Sequence, residues 1–122
     1  MRWGRGRDRI LEMRESAEST LSERIDSLVK RIVAHYRPRK IILFGSAARG
    51  DYVDTSDVDL IVVAESDKTF TQRLAESAGI IPDPHVDLLI YTPQEFEQML
   101  AEGRRFLTRA LAEGKVLYES QG

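Results

Sequence analysis

Between Phe44 and Leu60 the chain runs FGSAARGDYVDTSDVDL, and this stretch says most about the architecture. Before it, Lys40-Ile41-Ile42-Leu43-Phe44 is a short apolar run with the length and β-branching of a buried strand. Gly45-Ser46 closes that strand. A short helical turn is expected over Ala47–Arg49, a loop through Asp51–Ser56, and a second strand over Asp57–Ala64 (DVDLIVVA). Asp57 and Asp59 are two apart on that strand, so both side chains point to one face. Two like charges among Leu, Ile and Val are unfavourable unless something compensates them, and the usual compensation is a divalent cation.

A third acid completes the pattern. Asp87 opens the apolar run Leu88-Leu89-Ile90 at a similar place on a third strand, His85–Tyr91 (HVDLLIY). Asp57, Asp59 and Asp87 at the same end of neighbouring strands would hold two Mg²⁺ ions roughly 3.5–4 Å apart, with Mn²⁺ as an alternative, an arrangement that stabilises both attacking and leaving oxygens in phosphoryl-type transfer. Beside them, Gly45 allows backbone to approach a phosphate closely, Ser46 adds a hydroxyl, and Arg49 offers a bidentate phosphate contact. One loop offers a phosphate cradle and the next strand offers metal ligands, which suits an NTP–Mg²⁺ substrate. His85 shares a face with Asp87 on this reading, although a surface role is the simpler one for it.

Other motifs fail. Gly45 and Gly50 have the outer spacing of a P-loop, but Asp51 stands where Lys is required. A dinucleotide fingerprint lacks its third glycine. Asp51, Asp54, Asp57 and Asp59 do not follow EF-hand spacing, and no Glu stands at the twelfth position; Asp51 and Asp54 read as loop acids.

Working outward, Leu21, Ile25, Leu28, Val29, Ile32, Val33 and Tyr36 form one stripe of an amphipathic helix. Thr20 with Glu23 predicts its start by a capping box, and Pro38 forces the chain out of it. Residues 1–19 are then a basic, flexible arm (Arg2, Arg5, Arg7 and Arg9) followed by a weak helix, and residues 20–122 the folded domain. On the C-terminal side, Phe70–Ala78 is helical and Pro82-Asp83-Pro84 breaks it. Thr92-Pro93-Gln94-Glu95 is a strong helix start. Helical pieces follow around Phe96–Ala101 and Arg105–Ala112, with Gly114 as C-cap and Val116–Tyr118 as a last strand. Arg104, Arg105 and Arg109 read as a solvated helix face. Helices interleaved with at least three strands define a mixed α/β (α+β) domain, a small sheet flanked by helices.

Composition narrows the setting. Cysteine is absent, which excludes a disulfide framework and any thiolate metal site. No apolar run approaches the ~18 residues of a membrane span, so a cytoplasmic domain with no membrane partner is expected. A net charge of -2 means that a nucleic-acid partner would need a local basic patch; the Arg-rich arm is the candidate for one, but the simpler reading is a mobile tail and no nucleic-acid partner is indicated.

Gly45-Ser46, ten intervening residues, then Asp57-Val58-Asp59, together with Val86-Asp87-Leu88 and the closing Glu113-Gly114-Lys115-Val116-Leu117-Tyr118, resemble the polymerase-β-type nucleotidyltransferase superfamily in its minimal nucleotidyltransferase branch. The resemblance implies a polymerase-β-like fold and transfer of NMP, with ATP as the expected donor, to a hydroxyl acceptor. It implies that Gly45 and Ser46 bind the triphosphate, that Asp57 and Asp59 bind metal, and that Asp87 helps to activate the acceptor. Many members carry Arg or Tyr after Gly-Ser; Ala47 here weakens a phosphate or acceptor contact. Larger members add an acceptor domain, whereas about 30 residues follow the third strand in this sequence. The acceptor is therefore expected from a partner protein or an oligomer of the chain. In this branch the partner is often a helical HEPN toxin, which the nucleotidyltransferase silences as antitoxin by modifying a tyrosine. Two alternatives stay open: a catalytic subunit acting on a small molecule or nucleic acid, and a catalytically inert antitoxin that works by contact.

Overall fold

The computed structural model describes residues 9–50 and 57–120, with side chains from residue 21 onward. The arm over residues 1–8 and the loop acids Asp51 and Asp54 lie outside the described residues. The elements follow in the order α1 (Arg9–Tyr36), β1 (Lys40–Phe44), α2 (Ser46–Arg49), β2 (Val58–Val63), α3 (Phe70–Ile80), β3 (Val86–Tyr91), α4 (Pro93–Glu102), α5 (Arg105–Glu113) and β4 (Lys115–Glu119).

One expectation is corrected at once. No helix begins at Thr20: α1 runs unbroken from Arg9 to Tyr36. The segment Arg9–Ser19 holds no Gly or Pro and is rich in Arg, Glu, Leu, Met and Ala, whose propensity lets the helix extend through the local capping signal. The exit is where the sequence places it. Arg37 takes a positive φ of 49° directly before Pro38.

The four strands lie in the order β3-β2-β1-β4. β1 is antiparallel to both β2 and β4, whereas β2 and β3 are parallel, joined through α3. The parallel pair needs a crossover of that kind, which a hairpin could not supply.

Both faces of the sheet are covered, which is why its strands read as apolar runs rather than alternating ones. Ile41, Leu43, Leu60, Val62, Leu88 and Ile90 pack with Leu28 and Ile32 of α1 on one face. On the other, Ile42, Ile61 and Val63 pack with Phe96 of α4 and Leu107 and Ala110 of α5. Gly114 is the C-cap of α5 that the sequence predicts, in an extended rather than a left-handed conformation. Its φ is -84°, and glycine is needed because a Cβ there would stand 2.8 Å from the carbonyl oxygen of Leu43. That close approach lets the chain turn from α5 straight into β4.

Two helices are fastened by side chains reaching back to their own starts. Thr92 accepts from the Glu95 amide while Glu95 accepts from the Thr92 amide, as the sequence predicts; Thr69 and Gln72 do the same at α3. Glu95 has a second duty. Its two oxygens each lie 2.8 Å from the guanidinium of Arg73, which is buried and also donates to the carbonyls of Lys68 and Ile90. Arg73 thereby ties α3, the end of β3 and the start of α4 into one unit, and Glu95 sits well below the usual carboxylate range because of Arg73.

Candidate active site

The site sits at the sheet end where β1 finishes and β2 and β3 begin. Asp59 is the register partner of Phe44 on one side and of Asp87 on the other. Parity along the strands puts both acids on the face shared with Ile61, Val63 and Tyr91, the face that α4 and α5 cover farther along. At this end Asp87 is exposed, while Phe44 beside Asp59 still meets Phe106 of α5.

Asp59 carries the electrostatic load. Burial, then the adjacent charge of Asp87 and a hydrogen bond with it, then Asp57, push its carboxyl up to about 6, while Arg49 pulls the other way. So Asp57, Asp87 and Arg49 all stand near enough to be felt at Asp59. Asp57 precedes β2 rather than lying in it, and its Oδ1 is 3.4 Å from Nδ1 of His85. His85 likewise falls just outside β3, where its carbonyl accepts from the amide of Val58. The histidine thus pairs with Asp57, not with Asp87 as strand parity suggests.

Gly45 explains itself in this geometry. Its φ and ψ, 75° and -155°, belong to a region that side chains scarcely visit. A Cβ on Gly45 would collide with Oδ2 of Asp59 and stand 3.2 Å from its Cγ. The chain passes this close because the acid and the turn occupy one corner. Ser46 then opens α2 and Arg49 ends it. Arg49 makes an ion pair with Glu113 of α5 at 3.4 Å. Ala47, where the resemblance leads one to expect a larger residue, packs against the core on the α1 side.

The donor set is all oxygen, which matches a hard divalent cation. A cation would also relieve the conflict between Asp59 and Asp87. Among the described residues no three His, Asp or Glu side chains are gathered as a finished metal site; the Asp59–Asp87 pair is formed, and Asp57 is turned toward His85.

Two cavities flank this corner. One of about 730 Å³ reaches from Asp59, Asp87 and Leu89 past Leu74, Ile81 and Pro84. The other, about 650 Å³, lies between Gly45 and α5 and is lined by Phe44, Arg49, Arg105, Phe106 and Arg109. Arg105 and Arg109 are exposed, as the sequence predicts for a solvated helix face, but that reading does not disclose that the face borders a cavity. The available signal was Phe106, an aromatic set between them, which packs edge-on against Phe44 at 5.6 Å.

The family model described as polymerase beta, nucleotidyltransferase, matches residues 27–122. A protein of Methanocaldococcus jannaschii, named as a protein adenylyltransferase, is 32% identical over 96 residues, which are 77% of this chain and 94% of that protein. Among solved structures, a nucleotidyltransferase from Sulfolobus solfataricus superposes with a TM-score of 0.61 at 19% identity, covering 96% of this chain and 94% of the other. A chain of a toxin–antitoxin crystal structure with AMP-PNP superposes at 0.53 and 22% identity, over 79% and 73% of the two chains. At these identities the solved structures speak for the fold. Among the described residues no helix is long and apolar enough to cross a membrane.

Proposed function

The chain belongs to the polymerase β nucleotidyltransferase family, and from that premise we propose that it transfers AMP from ATP, with Mg²⁺, to a hydroxyl on a partner protein. The observation that carries this reading is the corner itself: Asp59 and Asp87 as register partners, Asp57 beside them, and Gly45 turning so tightly that only glycine fits against Asp59.

In this mechanism Gly45, Ser46 and Arg49 bind the triphosphate, and Asp57, Asp59 and Asp87 would hold the metal. When bound, Mg²⁺ supplies neutralisation of the phosphate charge and a more acidic acceptor hydroxyl. The exposed carboxylate of Asp87 takes the proton of the acceptor hydroxyl. The acceptor oxygen then bonds to the α-phosphorus, the bond from that phosphorus to the bridging oxygen of the β-phosphate breaks, and pyrophosphate leaves. Arg49 faces the charge that builds on the leaving group. His85, 3.4 Å from Asp57, orients that carboxylate.

The choice of a protein acceptor is supported by the adenylyltransferase name of the Methanocaldococcus relative. The likeness to a chain of a toxin–antitoxin structure with AMP-PNP supports ATP as donor and an antitoxin role beside a toxin; that the toxin is a helical HEPN protein rests on the sequence resemblance alone. The test is incubation with α-labelled ATP, Mg²⁺ and the co-purified partner. Label on the partner, lost on EDTA addition and in Asp59→Asn, is expected. Label that appears only on a small molecule or nucleic acid would replace the protein acceptor with that one.

A further inference from the structure

The two cavities beside the acids have opposite chemistry, although one sheet end feeds both. The cavity toward α3 is lined by Asp59, Asp83 and Asp87 with apolar walls. Among the described residues, the cavity toward α5 has Arg49, Arg105 and Arg109 against the single acid Glu113, which is itself paired with Arg49 and Arg109. Nucleotidyl transfer brings together a polyanion and a hydroxyl. The polyanion is drawn to the arginine side and repelled from the acid side.

The arginine-rimmed cavity also holds a platform for something flat. On α5, Leu107 and Ala110 are fully packed into the core, yet Phe106 keeps 45% of its surface exposed. Phe44 meets it nearly perpendicular, at 85°. In an edge-to-face pair Phe44 covers at most one face of Phe106, so the contact steadies the ring and leaves its other face clear of Phe44. A volume of about 650 Å³ is within the range of small-molecule sites, and Gly45 in its wall makes it continuous with the corner holding Asp59.

We propose that the cleft between Gly45 and α5 seats the nucleobase of the NTP, stacked on Phe106 with Arg105 and Arg109 at its rim, and that the acceptor approaches from the opposite, acid-lined side. The inference rests on the nucleotidyltransferase reading and adds to it the residue that grips the base. Stacking on an aromatic side chain tolerates any base, so Phe106 sets affinity for nucleosides over bare polyphosphate rather than choice among bases.

The test compares ATP with inorganic tripolyphosphate, each titrated calorimetrically with Mg²⁺ into the full chain, its Phe106→Leu variant, and a Leu100→Ala control at an exposed position of α4 away from both cavities. Phe106→Leu keeps an apolar side chain against Phe44 but removes the ring face. Its Kd for ATP should rise about tenfold, within the range for base–aromatic stacking, with tripolyphosphate binding unchanged, which also reports that the variant is folded. Leu100→Ala should match the wild type for both. Unchanged ATP binding in Phe106→Leu would overturn the base seat while leaving the enzyme reading intact, and so would an equal loss for both ligands. Failure of the wild type to bind either ligand would remove the nucleotidyltransferase reading together with this one.

Discussion

At Gly45 and Asp59 the backbone and a carboxylate compete for the same small volume. Gly45→Ala adds a methyl group that meets Asp59 Oδ2 and forces a side chain into a positive-φ conformation, a strain of about 1–3 kcal/mol. The melting temperature of that variant should drop by several degrees and its nucleotide affinity should fall at least about tenfold. Wild-type affinity in calorimetry would show that the close approach is not part of the site. Asp59 gives a prediction in pH. Its folded-state carboxyl is raised to about 6 by burial and by Asp87, so below about 4 it contributes stability, and that contribution is lost as pH rises through about 6. In metal-free protein, chemical denaturation should show stability increasing between pH 7 and 5, a window above the range where Glu95 and Asp83, held low by their partners, begin to protonate. Asp59→Asn should lack the increase. Of these residues, Asp59, Asp87 and Gly45-Ser46 were legible in the sequence, because the two acids stand at the start of apolar strand runs and the glycine closes one. The pairing of His85 with Asp57 was not, since both lie just off the strand ends where parity stops applying.

Among the elements, Arg73 and Glu95 carry the sharpest expectation. Arg73 is 2% exposed and Glu95 partly so. Removing one member leaves a buried guanidinium short of acceptors and strips a helix cap. Allowing for the exposure of Glu95, Glu95→Ala should cost about 1–3 kcal/mol, read as a lower urea midpoint with an unchanged slope. A change within error would mean that α3 and α4 are fastened by apolar contacts alone. The sequence discloses half of this: Thr92-Pro93-Gln94-Glu95 marks the helix start, but nothing local says that Glu95 also faces Arg73 across 22 positions. The strands were legible for the opposite reason. KIILF, DVDLIVVA and HVDLLIY are short apolar runs closed by Gly, Pro or acids, and burial on both faces keeps them so. The start of α1 was misread because a capping box is a local preference, and uninterrupted helix formers on both sides of Thr20 outweigh it.

For the molecule as a whole, the order β3-β2-β1-β4 sets the glycine turn, the three acids and the α5 cleft at one end of the sheet. The cleft was not legible beforehand, because α5 meets Gly45 only after the chain has crossed the sheet through two further strands. Layering sets the cost of disturbing that frame. Leu107 is fully buried between α5 and the sheet, and Leu107→Ala should lose about 2–5 kcal/mol, with the thermal midpoint as readout. The central claim is that the corner binds an NTP through its carboxylates and a divalent cation. It is tested most directly by calorimetric titration of ATP into the protein with Mg²⁺, with EDTA, and into Asp57→Asn/Asp59→Asn. ATP should bind when Mg²⁺ is present, and EDTA or the double variant should abolish that binding. A wild-type protein that binds no nucleotide with any divalent cation, or a double variant that binds as well as the wild type, would contradict it.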